Sequence, residues 1–332
     1  MSGVGASARL MRITGPRGSG KTVLLCDLRD RAIELGWKAV VVSAGPRLSH
    51  DLMEQIQDQL TFSSASPGVN VGIASAKLDI SSSEMSLRAK LKQIAQGSKG
   101  LFIAVDEVQD APVEEMRIIA STVQLLIGEK VNIALAFAGL PSGVMDLING
   151  KALTFLRRAV PEDLTPINQI EIALSLSDSF NATGLSLDGD LLSKAARATK
   201  GYAYLVQLVG YSIWQRANLH REKSTLVSER DVDEGILLAE ARFHDVVHEP
   251  AISGLSRNEI NYLYAMCEDS RQSKTSDLAK RLGKKTSELS SVRAKLLSRE
   301  VIQAPQRGYV QFAVPDLDEY LKDNRDEILS RY

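Results

Sequence analysis

Apolar runs alternate with helical spacings through the first half of the chain. Runs at 10–13, 37–43, 101–107 and 131–138 are rich in Val, Ile, Leu and Ala, and a shorter one lies at 159–164. Apolar on both faces, such runs predict buried parallel strands. Between them Val23, Leu24, Leu25, Leu28 and Ile33 recur at helical spacing, as do the apolar positions of 48–60, 84–96 and 116–127. The alternation predicts an α/β fold, a doubly wound parallel sheet. One stretch breaks it. Residues 61–83 are Ser-rich, with Val69, Val71 and Ile73 alternating before Leu78 and Ile80. An extended excursion or hairpin is expected there, either a surface connection or a contact for a partner.

From Asn168 onward the pattern is helical. Asn168 with Glu171 three residues later predicts a capped helix to about Asn181, followed by helices over 191–198, 202–217 and 229–248. A third module then begins. Helices are expected at 258–267, at 275–282 before Gly283, and at 287–299, and two short strands at 301–303 and 309–312 flank Arg307-Gly308. That order is the one of a winged helix-turn-helix. The expected division is 1–166 for the sheet domain, 167–249 for a helical lid with its linker helix, and 250–332 for the winged helix.

Composition changes this picture little. The 332 residues are 44% hydrophobic and 24% charged, with a formal net charge of −1. Such a balance excludes a globally basic nucleic-acid coat and leaves a local patch open. Cys26 and Cys267 read as buried thiols of a reducing compartment. With no apolar run of 18 residues and no leader before the first strand, a cytoplasmic protein without a membrane partner is expected.

The chemistry concentrates at Gly15-Pro16-Arg17-Gly18-Ser19-Gly20-Lys21-Thr22, which fits G-x-x-x-x-G-K-[ST]. Glycines let backbone N–H groups converge, and the following helix adds its positive end, so phosphate finds a nest. Residues 15–22 with Val23 are the expected nucleotide contacts. Lys21 is expected to bridge phosphates, and Thr22 to ligate Mg²⁺. The run at 101–107 ends in Asp106, placed for Mg²⁺, and Glu107, the candidate base for water. Glu240, His244 and His248 share a metal-like spacing but are read as one face of a solvated linker helix.

Charge is uneven in the third module. Residues 270–310 hold ten basic against three acidic residues, a local balance of +7 in a chain of net −1. Phosphate contact follows from such a patch, with the third helix in the major groove of double-stranded DNA and the wing on its backbone. The candidate DNA contacts are Lys284, Lys285, Ser290, Ser291, Arg293, Lys295 and Arg307. Winged helices also dock proteins, so a protein partner stays open.

With these motifs placed, the chain resembles the AAA+ ATPases, specifically the initiator branch related to archaeal origin-recognition proteins and similar bacterial ATPases with a C-terminal winged helix. The resemblance implies ATP/ADP and Mg²⁺ as cofactors, Lys21 and Thr22 as the phosphate and metal residues, and Asp106 and Glu107 as the metal and catalytic acids. It places Ser43 where the family keeps a polar residue able to hold the glutamate inactive. It also places Arg157 or Arg158 as the finger that reaches a neighbour's nucleotide, which implies self-association or a partner ATPase.

Two positions depart from the family pattern. The fourth strand usually ends in a polar sensor residue, whereas Ala138-Gly139-Leu140-Pro141 leaves only Ser142 polar. In the lid, Gly201-Tyr202-Ala203-Tyr204 puts Tyr204 where the family has arginine. Slow or partner-dependent hydrolysis is the implication. Gly201 and Gln207 also resemble the STAND-type signalling NTPases. Two functions are therefore expected: an ATPase coupling its nucleotide state to DNA binding and assembly of a DNA-associated complex, or a nucleotide-gated signalling or scaffold ATPase whose winged helix docks protein.

Overall fold

The computed structural model describes residues 9–63, 80–222 and 224–331. It divides into two compact units, Met1–Gly15 with Gly20–Leu164, and Pro16–Ser19 with Thr165–Tyr332.

The first unit runs β1 (Leu10–Thr14), α1 (Lys21–Glu34), β2 (Lys38–Ser43), α2 (Leu48–Ser63), α3 (Ile80–Gln96), β3 (Leu101–Asp106), a 3₁₀ turn (Val108–Asp110), α4 (Val113–Gly128), β4 (Ile133–Gly139), α5 (Pro141–Asn149), a 3₁₀ segment (Lys151–Arg158) and β5 (Val160–Asp163). The five strands form one sheet in the order β2-β3-β4-β1-β5, and every pairing is parallel.

All six residues of β3 are buried, and successive side chains of a strand point to opposite faces. Ile103 and Val105 join a large core with Leu52, Leu91, Ile119 and Val144 from α2, α3, α4 and α5. Phe102 and Ala104 turn the other way, to a smaller core with Leu25 of α1 and with Ala39, Ala136 and Ala138. Alanines on that side let α1 lie close to the sheet. Two covered faces are why these strands read as unbroken apolar runs. The doubly wound parallel sheet is thus present.

Most of the excursion expected at 61–83 lies outside the described residues, which stop at 63 and resume at 80. Residues 61–63 continue α2 and residues 80–83 open α3, both amphipathic helices for which the apolar residues of this stretch are too sparse a guide. Val69, Val71, Ile73 and Leu78 lie outside the described residues.

The second unit begins with α6 (Gln169–Ala182), α7 (Gly189–Ala198), α8 (Ala203–Asn218) and α9 (Glu229–Phe243). Their starts agree with the sequence signals. The Asn168 side chain accepts from the Ile170 N–H at 2.8 Å, and Ser228 with Asp231 forms a capping box. Next come a π-helical turn (His244–His248), α10 (Glu249–Ile252), α11 (Arg257–Met266), β6 (Ser273–Lys274), α12 (Thr275–Arg281), α13 (Ser290–Ser298), β7 (Ile302–Gln303), β8 (Tyr309–Phe312), α14 (Leu317–Asp323) and α15 (Arg325–Ser330). With β6 between α11 and α12, and β7 and β8 after α13, the antiparallel order β6-β8-β7 completes the winged helix. Its core gathers Leu263, Leu278, Leu296, Val310 and Leu321. A separate core of Phe180, Ala196, Val209, Ile213 and Val232 holds α6 to α9.

Two readings are corrected here. The π turn inserts an extra residue and rotates the helical residues beyond it, so His248 is 1% exposed rather than on a solvated face. It packs edge-on to Phe243, 4.7 Å between centroids, and against Tyr320. Burial pushes its pKa down to about 4, so the ring is neutral and its Nε2–H donates to the Pro315 carbonyl at 2.7 Å. Cys267 is buried as expected, whereas Cys26 is only half-buried.

Helices α8 and α9 meet at Gly235, where an added Cβ would stand 2.7 Å from the Ile213 Cα and 2.8 Å from its nitrogen. Backbone cannot yield as a side chain can. Gly235→Ala is expected to force the helices apart and to cost about 1–3 kcal/mol, read as a lowered Tm in thermal unfolding. An unchanged Tm would contradict this close approach.

Candidate functional site

Strand β1 ends at Thr14, and the chain turns through residues 15–20 before α1 starts at Lys21. Gly18 and Gly20 carry φ of +72° and +96°, values that side-chain-bearing residues rarely adopt, so the loop needs glycine at both. The Ser19 N–H closes a turn onto the Pro16 carbonyl at 3.2 Å. Lys21 is 4% exposed, and its Nζ donates to the Gly15 carbonyl at 2.9 Å. The ammonium is thus folded back under the loop. Thr22 is exposed at the mouth, and so is Val23, at 66%.

At the end of β3, Asp106 is 5% exposed. Its Oδ2 accepts from the Thr22 hydroxyl at 2.5 Å, and its Oδ1 from the Glu107 N–H at 2.9 Å. The loop and the strand end are therefore joined directly. A hydroxyl and a carboxylate in contact are hard oxygen donors of the kind Mg²⁺ takes, so these residues fit that ion. Glu107 has φ 52° and ψ 47°, a left-handed conformation that costs a side-chain-bearing residue on the order of 1 kcal/mol or more. It turns the chain off the sheet, and the Asp110 N–H closes the turn on the Glu107 carbonyl at 2.9 Å.

That turn brings in a residue the sequence reading missed. The Gln109 Nε2 donates to the Glu107 Oε2 at 2.5 Å, and its Oε1 accepts from the Leu140 N–H at 3.1 Å. An amide two residues beyond an acid at a strand end is the sequence signal, and it is weak because only the 3₁₀ turn folds the two together. Ser43, expected near the glutamate, is exposed at the end of β2 in register with Asp106. Ser142 is exposed in the first turn of α5.

Arg157 and Arg158 end the segment before β5, both exposed. Their surroundings differ. Arg157 donates to the carbonyls of Ile148 at 3.0 Å and Asn149 at 3.4 Å, at the C-terminal end of α5. No hydrogen bond or ion pair of Arg158 occurs among the described residues.

The apex of the loop, Pro16–Ser19, groups with the second unit. Within that unit the Tyr202 hydroxyl donates to the Arg17 carbonyl, and the Tyr204 N–H donates to the Gly18 carbonyl at 3.1 Å. Burial pushes the Tyr202 pKa up to about 12, which keeps its hydroxyl a donor. Tyr204 meets the loop through its backbone, while Tyr202 brings its side chain.

In the winged helix, the residues expected on DNA are unequally placed. Lys285, Ser291 and Arg307 are exposed. The Lys284 Nζ donates to Asn258 at 3.2 Å, Lys295 lies 3.8 Å from Glu259, and the Ser290 hydroxyl donates to the Ser287 carbonyl at 2.6 Å. Arg293 is half-buried, and its Nε is buried without a hydrogen-bond partner. Of the other cations in the patch, Arg281 binds Asp269 through two bonds of 2.6 Å. The net basic charge is real, but part of it is engaged inside the module.

The unequal roles of the two arginines are measurable. Arg157→Ala is expected to destabilise the protein by about 1 kcal/mol, since two carbonyls lose their donor. Arg158→Ala should stay within about 0.5 kcal/mol of the parent. Denaturant midpoints of both variants check this, and equal midpoints would contradict it.

Residues 5–148 match the family model of an AAA domain, and residues 245–321 match a domain of unknown function, DUF8462. No match is found among curated proteins. Among solved structures, the chain is similar to the ORC2 protein of Aeropyrum pernix in ADPNP–ADP complexes, at 13% identity and TM-score 0.64, over 97% of this chain and 89% of that one. A Walker-type ATPase of Pyrococcus abyssi gives 15% identity and TM-score 0.67 over 95% and 91% of the two chains. Cdc6p of Pyrobaculum aerophilum gives 15% and 0.52 over 97% and 88%. Residues 5–148 thus match the AAA domain, and the chain has the fold of these archaeal ORC, Cdc6 and Walker-type ATPase structures.

Proposed function

We propose that this protein is an ATPase that couples its nucleotide state to binding of double-stranded DNA and to assembly of a DNA-associated complex. The observation that carries the nucleotide part is the bond from Thr22 to Asp106, which joins the phosphate loop to the acidic strand end beside the buried Lys21. The ORC2 structure of similar fold was solved with ADPNP and ADP, in keeping with this reading. Backbone amides of residues 15–22 and the Lys21 ammonium would hold the phosphates, with Val23 beside them. Thr22 and Asp106 would hold Mg²⁺, which when bound neutralises phosphate charge. Glu107 accepts a proton from, or orients, the attacking water. Arg158, whose guanidinium has no partner among the described residues, is the better finger toward a neighbouring copy or a partner ATPase. Tyr204 offers the loop no cation, and turnover is slow or partner-stimulated.

Residues 1–166 form the catalytic domain in this reading, 167–249 the lid and linker helix, and 250–332 the DNA-binding module. Lys285, Ser291 and Arg307 are its most available contacts, followed by Arg293, with Lys284, Ser290 and Lys295 joining once their internal partners release them. No described helix is long and apolar enough to cross a membrane, and we place the protein in the cytoplasm.

Lys21→Ala is expected to abolish ATP binding, whereas Glu107→Gln keeps binding and lowers turnover at least about 100-fold. Isothermal titration and phosphate release read the two effects. Tight ATP binding by the lysine variant would remove the site assignment.

A second reading, a nucleotide-gated signalling protein whose winged helix docks protein, is favoured by the internal pairing of Lys284 and Lys295. Salt separates the two. A surface neutralising about four to six phosphates should lose on the order of 10²–10³ in duplex affinity between 50 and 200 mM salt. Absence of duplex binding at either concentration would favour the protein-docking reading.

A further inference from the structure

Gln109 has no part in the site as proposed, yet it bonds to the candidate base at one end and to the tip of β4 at the other. We propose that Gln109 is a positioning residue for Glu107, an inference that rests on the ATPase reading. A carboxamide donates through nitrogen and accepts through oxygen, and both capacities are used here. The Nε2–H meets the Glu107 Oε2 at 2.5 Å, and Oε1 meets the Leu140 N–H at 3.1 Å. The flipped amide would set oxygen against carboxylate and nitrogen against N–H, two repulsive pairs. The orientation is therefore dictated by its neighbours.

The surroundings are shaped for this side chain. A Cβ on Gly139 would stand 2.7 Å from the Gln109 Oε1, and a Cβ on Gly143 would stand 2.4 Å from the Gln109 Cβ. Gly139 is the last residue of β4, where Ala138-Gly139-Leu140-Pro141 supplies no polar side chain. The Gln109 amide occupies the volume that a side chain at 139 would fill. A polar group at the end of β4 is thus supplied from the turn after β3.

The consequence is specific. Glu107 sits in a left-handed turn, and its carboxylate is held through Oε2, which leaves Oε1 to accept from water. Because the same amide holds the Leu140 N–H, a displacement of the β4–α5 junction moves Glu107 through a single side chain.

The test compares ATP turnover and nucleotide Kd in the full-length protein carrying Gln109→Leu, Gln109→Ala, Gln109→Glu or Glu107→Gln. Gln109→Leu keeps the bulk and removes both bonds. It is expected to lower kcat about 10- to 100-fold with nucleotide Kd within about threefold of the parent, and Gln109→Ala should behave alike. In Gln109→Glu the introduced carboxyl donates only when protonated, so its kcat relative to the parent should rise as pH falls from 8 to 6. A packing role would give no such profile. Parental or faster turnover in Gln109→Leu, while Glu107→Gln is inactive, overturns the Gln109 role alone. Loss of nucleotide affinity in step with kcat in all three variants assigns Gln109 to packing and also overturns it. No turnover in the parent with or without duplex DNA, with ATP still bound, overturns the ATPase reading and the inference together.

Discussion

Burial of two opposite charges at one end of a sheet is the constraint on which the first unit depends. Lys21 and Asp106 are almost withdrawn from solvent, and ionised groups in such a place must be bonded to persist. Lys21 turns back onto the Gly15 carbonyl. Asp106 uses both oxygens, on Thr22 and on the Glu107 N–H. The phosphate loop, the start of α1 and the end of β3 are thereby one bonded assembly.

The residues at the end of the strand between them are small. In β2-β3-β4-β1-β5 the strand β4 lies between β3, which ends at Asp106, and β1, which leads into the loop before Thr22. Gly139 pairs with Thr14, and Ala138 with Ile13. A Cβ on Gly139 would stand 2.7 Å from the Gln109 Oε1 and 2.9 Å from Val108. The Gln109 amide reaches this space instead, from a turn that can be shaped independently of the sheet.

The second unit shows how far a local count of charges reaches. The balance of +7 over residues 270–310 falls to +2 over 250–332, where 14 basic residues meet 12 acidic ones, so the positive charge is a local feature of the module. Which cations are available to a ligand is a matter of neighbours brought from elsewhere. Asp269 engages Arg281, Asn258 holds Lys284 and Glu259 lies near Lys295. In the same unit the aromatic pairs of Tyr202 with Phe243, of Phe243 with His248 and of His248 with Tyr320 form a continuous path that is buried up to the half-buried Tyr320. Its members are spread over more than a hundred residues of sequence.

The sequence by itself determined the sheet, most of its helices and the residue types at the candidate site. Each of these is written in local order: apolar runs for strands covered on both faces, helical spacing for α1 and α4, and eight consecutive residues for the phosphate loop. Caps such as Asn168 were legible for the same reason. Only tertiary structure decided that residues 61–63 and 80–83 are helical, because amphipathic segments of mixed composition take their form from what they pack on. It alone decided that His248 is buried, since one extra residue in a π turn rotates everything after it. It alone brought Gln109 against Glu107 and Leu140, and gave Arg157 a pair of carbonyl acceptors. Hydrogen-bond partners distant in sequence are set by how elements meet in space, and no spacing along the chain encodes that meeting.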